Sequence, residues 1–294
     1  MTKHNKIELA TWFQKGRFFE FENHDIFLAQ QGYGSKTLLC VHGFPTSSYD
    51  YRKILPGLLE DFRVVTFDLI GYGFSDKPFD FDYTTNAQAD LLSALVRHID
   101  VDSVHLLTHD FGNTIAQELL ARRKEDKLEF EIESLAMLNG ALFPETHRPV
   151  LAQRLLIGPI GPLFGRMIPD FAFKKSLASI FGQNYRPSDA ELDDFVVAFR
   201  ANDGKKIAHK LIQYMRERAI HRERWLGGLA SIDFPFLFIN GSADPVSGKH
   251  VVDRFRELLP NLTNIVEYAD VGHFPHLERP NDVLIDFLAF HKQT

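Results

Sequence analysis

Apolar runs of strand length alternate along this chain with segments of helical periodicity, and that alternation restricts the fold more than any other feature. KTLLCVHG, FRVVTFDL and VHLLTHD read as buried strands, and IESLAMLNG, DFPFLFING and NLTNIVEYAD repeat the pattern later. Between them SSYDYRKILPGLLE, TNAQADLLSALVRHI and NTIAQELLARRK carry apolar residues at helical spacing, and NDVLIDFLAFHKQ closes as a helix. Strands that are apolar on both faces must be covered on both faces. The alternation therefore predicts a mostly parallel sheet flanked by helices, an α/β fold. A hairpin from Phe18 to Gln31, with His24 and Asp25 near its turn, is expected ahead of it.

The alternation stops after Asn139 and Gly140. From about Ala141 to Trp225 the strand signal vanishes, leaving helical stretches such as AELDDFVVAFR and KKIAHKLIQYMRER separated by Pro and Gly breaks. The economical arrangement is one core made of residues 1–140 and 227–294, with a helical cap at 141–226 inserted between two strands of its sheet. No internal repeat or low-complexity segment is present.

Charge excludes some classes of partner. The 39 acidic and 33 basic residues are spread along the chain, for a net charge of -6, so no basic block offers a footprint for nucleic acid. The most lipophilic window, LLIGPIGPLFGRMIPDF, is broken by glycines and prolines, and MTKHNKIELATWFQKG has no apolar leader. A soluble, cytoplasmic protein without stable membrane insertion is expected. The single cysteine, Cys40, sits in a strand run and cannot form an internal disulfide. No Cys/His or acidic cluster has metal-ligand spacing and no phosphate-cradling glycine loop occurs, so neither metal nor cofactor is expected.

Parallel sheets place working residues at the carboxyl ends of their strands. THDFG puts Asp110 at such an end, where G-x-S-x-G would place a nucleophile, although Thr108 replaces the first glycine. NGSADPV puts Asp244 past a later strand, and DVGHFPH puts His273 past the last. The order nucleophile, acid, histidine is that of the α/β-hydrolase triad, and HGFP at 42–45 stands where one oxyanion donor belongs. The expected donors are the backbone amides of Phe44 and Phe111. A carboxylate nucleophile can displace a leaving group at an sp3 carbon, giving an alkyl ester that water activated by His273 then cleaves. Asp244 would hold the imidazole tautomer; Asn139, the other place for an acid, carries no charge to give. His42 and His109 fit support of the turn better than catalysis.

HGFPTSSYDYR, GYGFSDKP and HDFG resemble the branch of α/β-hydrolases that holds epoxide hydrolases and haloalkane dehalogenases. HGFPTSSYDY, GFSDKP, AQELL, PETHRP, YRPSDAEL, NDG and LIQY resemble more closely still the mesoderm-specific transcript proteins, from about residue 36 to the C-terminus. The resemblance implies the α/β-hydrolase fold with a cap and a cofactor-independent hydrolase. Dehalogenases of this branch hold halide with side-chain N–H donors, but Phe44 and Phe111 have none, and HDFGNT lacks the arginine of fluoroacetate-type enzymes. Epoxide opening needs an acid such as a phenol. Tyr214 in LIQYMRER matches the second cap tyrosine of epoxide hydrolases. Phe171 and Phe173 stand where the first is expected, which leaves Tyr185 as a displaced candidate. The phenylalanine-rich composition suggests a small apolar substrate.

Overall fold

The computed structural model describes residues 8–292; the expected absence of a leader thus falls partly on residues 1–7, outside the described residues. Eight strands form one sheet: β1 (Arg17–Phe21), β2 (His24–Gln31), β3 (Lys36–Val41), β4 (Phe62–Phe67), β5 (Ser103–Thr108), β6 (Glu131–Leu138), β7 (Phe236–Gly241) and β8 (Ile265–Tyr268). Their order is β1-β2-β4-β3-β5-β6-β7-β8. β2 runs antiparallel to both its neighbours, and every pair from β4 to β8 is parallel. The hairpin forms as expected, but its turn is Glu22–Asn23, both with positive φ, as a two-residue hairpin loop requires.

Alternation along each strand divides the core. Leu38 and Cys40 of β3, Val64 of β4 and Leu107 of β5 face one layer, which Phe287 and Trp12 complete. Leu39, Val41, Val65 and Leu106, one residue out of phase, face the other with Leu92, Ile115 and Phe255. Helices Thr85–His98 and Phe111–Lys124 pack together in the second layer, and Pro280–Lys292 covers the first. Cys40 is buried, as a strand residue should be. The stretch SSYDYRKILPGLLE departs from the single helix expected. It forms a 3-10 turn at Ser48–Lys53 and a short helix at Leu55–Leu58, because Pro56 lacks the N–H a continuous helix would use.

Between β6 and β7 the described elements from Pro144 to Ala230 are all helical. AELDDFVVAFR is the helix Asp189–Arg200, started by a capping box in which Ser188 Oγ accepts from Glu191 N at 3.2 Å. KKIAHKLIQYMRER instead breaks into Ala208–Leu211 and Tyr214–Ile220. The segment returns to the sheet through HRERW, whose charges pair as expected. Arg224 reaches Glu118 and Glu125, and Trp225 Nε1 donates to Glu118 Oε2 at 2.8 Å. Glu118 lies on Phe111–Lys124, so these bonds fix the helical segment to the helix that begins at Asp110. Among the described residues no helix is long and apolar enough to cross a membrane.

Candidate active site

Strand β5 lies in the middle of the sheet, and backbone bonding continues past its end, by one residue toward β3 and by two toward β6. His109 N donates to Val41 O at 3.0 Å and Asp110 N to Asn139 O at 2.8 Å. The chain then turns straight into the helix Phe111–Lys124, which forces Asp110 to φ 46° and ψ -105°. That conformation is sparsely populated for a residue with a Cβ and is costly to hold. The turn is feasible because small residues surround it. A Cβ on Gly112 would lie 2.3 Å from Val41 O, and one on Gly43 would lie 2.5 Å from the Asp110 Cβ. Thr108, at the position where a glycine was expected, is accommodated because its hydroxyl donates to Asn113 Oδ1 at 2.6 Å.

Asp110 occupies the N-cap position, yet its side chain makes no capping bond to the helix. Instead its Oδ2 accepts from Phe44 N at 3.0 Å. Phe111 follows at the first helical position, where backbone N–H groups have no partner within the helix. Of the two amides expected to serve an oxyanion, that of Phe44 thus meets the Asp110 carboxylate, and that of Phe111 follows Asp110 in the chain.

Asp244 and His273 come together at the ends of β7 and β8. His273 Nδ1 bonds to Asp244 Oδ2 at 2.7 Å, and both residues are buried. Asp244 is held from three further directions: Val246 N at 2.8 Å, Ser247 Oγ at 2.6 Å and Asn139 Nδ2 at 3.1 Å. Asn139 also pairs with both backbone groups of Gly241, which explains an amide at the end of β6. Burial opposes charge on His273, but the Asp244 charge and hydrogen bond and the Asp110 charge outweigh it, raising its pKa to about 9. Burial would raise the Asp244 pKa; the imidazolium, Ser247 and Val246 bring it below the usual carboxylate range instead. His109 Nε2 bonds to His273 O at 2.8 Å, while His42 bonds Gly43 O and Leu69 N. Both support loops around the site, as expected.

Of the two candidate tyrosines only Tyr214 lies here. Its ring stacks on Phe111 with centroids 4.3 Å apart and leans on Phe44 at 6.1 Å. It is fully buried, its hydroxyl has no partner, and burial with the Asp110 charge holds the phenol far above its ordinary pKa. Tyr185 is a correction. Its hydroxyl donates to Glu191 Oε1 at 2.8 Å and accepts from Lys53, and its ring stacks on Phe181, so it ties the helical segment to the Ser48–Lys53 turn.

Two residues near Asp110 escaped sequence reasoning. Tyr72, in GYGFSD, is buried with an unpartnered hydroxyl, and its ring contacts those of Phe44 and Phe111. Arg218 is buried, with Nη2 4.0 Å from Asp110 Oδ1. The expectation of no arginine beside the nucleophile held only for the local motif; the fold delivers one from the helical segment. A signal existed, since Arg218 follows Tyr214 by four residues on one helix and therefore shares its face.

An apolar cavity of about 60 Å³ reaches Phe44 and His273 of this cluster. Phe44, Pro45, Val246 and His273 form its core side, and Leu156, Ile168, Phe173, Leu177 and Phe199 its helical side.

Comparisons with known proteins bear on the family and the fold. Residues 36–280 match the family model for the alpha/beta hydrolase fold. The mesoderm-specific transcript homolog protein of Bos taurus is 40% identical over 96% of this chain and 87% of its own. A cis-3-alkyl-4-alkyloxetan-2-one decarboxylase of Shewanella oneidensis is 27% identical over 95% of this chain and 89% of its own. The crystal structure of the haloalkane dehalogenase DbeA from Bradyrhizobium elkani superposes with a TM-score of 0.78 at 22% identity, covering 95% of this chain and 99% of that one. At that identity the likeness speaks for the fold alone. The chain belongs to the α/β-hydrolase fold family and stands within it beside the mesoderm-specific transcript proteins.

Proposed function

We propose that this protein is a cofactor-independent hydrolase in which Asp110 is the nucleophile of an Asp110–His273–Asp244 triad and the 141–226 cap closes over an apolar epoxide. The observation that carries this reading is the strained turn at Asp110: the carboxylate leaves its own helix uncapped and faces the Phe44 amide. Strain of this kind persists where it positions a reacting group.

Asp110 attacks one epoxide carbon, the C–O bond breaks, and the released oxygen takes the proton of Tyr214. Water, losing its proton to His273, then attacks the ester carbonyl. The Phe44 and Phe111 amides hold the oxyanion that forms. Collapse expels the diol oxygen, which takes the proton back from imidazolium, while the Asp110 carboxylic acid returns one to the phenolate. The sum is epoxide plus water giving a vicinal diol. Alkylation also neutralises Asp110, one of the charges that raise the His273 pKa. That change favours loss of the imidazolium proton to solvent, which leaves a neutral imidazole to accept the proton of the attacking water.

The test is mass spectrometry of a His273→Gln variant incubated with a panel of apolar epoxides. An adduct on the Asp110 peptide is expected; a folded variant that forms none across the panel contradicts the reading. Displacement of halide is the second reading, favoured by Arg218 beside Asp110. Halide release from bromoalkanes without any epoxide turnover would put it first.

A further inference from the structure

Among the described residues, Arg218 Nη2 and the hydroxyls of Tyr72 and Tyr214 are buried donors near Asp110 without a hydrogen-bond partner. Unpaired buried donors are rare because each forfeits its hydration, and a guanidinium forfeits most. Arg218 is otherwise firmly held. Its Nε donates to Thr114 Oγ1 at 2.9 Å, its Nη1 to His147 Nδ1 at 3.1 Å, and its plane lies 4.7 Å over the Tyr214 ring. Burial and the guanidinium push the His147 pKa down to about 3, so His147 stays neutral and accepts that bond. The remaining nitrogen, Nη2, stands 4.0 Å from Asp110 Oδ1, too far for a hydrogen bond to it. The distance is short enough for a group bonded to the attacked carbon to touch both, since a reacting carbon approaches its nucleophile to about 3–3.5 Å.

The donors differ in kind. A phenol can surrender a proton to a leaving oxygen, whereas a guanidinium keeps its proton and suits an oxygen that stays anionic. We propose that Arg218 is a specificity residue of this site and that the substrate carries a carboxylate on the carbon next to the reacting epoxide, held by Arg218 Nη2. This rests on Asp110 acting as the nucleophile. Arg218 and the protonated His273 offset the repulsion between two neighbouring carboxylates, while the apolar remainder of the substrate occupies the cavity lined by Leu156, Phe173 and Leu177. In the resting protein Nη2 makes no hydrogen bond and only a 4.0 Å ion pair with Asp110, so its N–H groups can donate to that carboxylate.

The test compares phenylglycidate with its neutral isostere phenylglycidamide. Wild-type kcat/KM is expected to favour the acid by about a hundredfold, and Arg218→Met should bring that acid-to-amide ratio close to one, the ratio and not the absolute turnover being the readout because Arg218 also borders Asp110 and Tyr214. Arg218→Lys should restore part of it. Should Arg218→Met not fold, competitive inhibition of the wild type by phenylacetate against phenylacetamide reads the same contact, with the acid binding at least about tenfold more tightly. Amide turned over as well as acid, or an equal loss on both substrates in Arg218→Met, overturns the assignment while leaving the Asp110 nucleophile intact. Absence of any Asp110 adduct in His273→Gln removes the nucleophile and this proposal with it.

Discussion

Removing the charge of Asp244 should change how the stability of the protein depends on pH, and the size of the change follows from the site. His273 is buried and its pKa stands at about 9 against an ordinary 6.5. Each pKa unit corresponds to about 1.4 kcal/mol, so the protonated pair stabilises the fold by about 3 kcal/mol. The lowered Asp244 pKa reports the same interaction from the other partner and is not added. A raised histidine pKa means the folded state holds the proton more tightly. The stabilisation is therefore complete below pH 6.5 and lost as pH rises through 9. In Asp244→Asn the charge that raises the pKa is gone, and desolvation favours the neutral ring. Urea denaturation of both proteins between pH 6 and 10 should show wild type ahead by about 3 kcal/mol at the acid end, with the gap closing near pH 9. A gap that is constant with pH, or absent at pH 6, would refute the electrostatic account of the pair.

Asp110→Asn should lower the His273 pKa, seen as an imidazole NMR titration whose midpoint moves to lower pH, because the Asp110 charge is among those raising it. Tyr214→Phe should cut kcat for epoxide opening by about a hundredfold or more, whereas Tyr185→Phe should leave kcat unchanged and show only in a small loss of thermal stability. Gly112→Ala should destabilise by about 2–3 kcal/mol by denaturant titration, since its Cβ meets the Val41 carbonyl at 2.3 Å and neither backbone can give way easily. Glu118→Gln should cost about 2 kcal/mol in the same assay, because it weakens the bonds from Arg224 and Trp225 that hold the helical segment to the core, together with the intrahelical bond from Arg122.

Much of this architecture was legible because period and order are local properties of the sequence. The apolar runs from KTLLCVHG to NLTNIVEYAD each became a strand, and Asp110, Asp244 and His273 lie past strand ends, where α/β sheets put working residues. What was hidden depends on distance in space. Tyr185 has the right residue type in the helical segment, but only packing decides that its phenol meets Glu191 and Lys53. Arg218 was legible only as one basic residue among several in YMRER; its isolation from solvent comes from the fold around it. Tyr72 sits between Gly71 and Gly73, both at positive φ, a turn whose glycines are visible in GYG but whose direction is not. The break at Pro56 was readable and lost only to the helical periodicity of its neighbours.

A single turnover in heavy-oxygen water, with enzyme in excess over epoxide, measures the Asp110 assignment most directly. If Asp110 attacks carbon, the diol takes its new oxygen from the carboxylate and the label appears in the Asp110 peptide. Label entering the diol in that first turnover, with Asp110 unlabelled, would mean that water attacks the substrate and that the carboxylate never bonds to it.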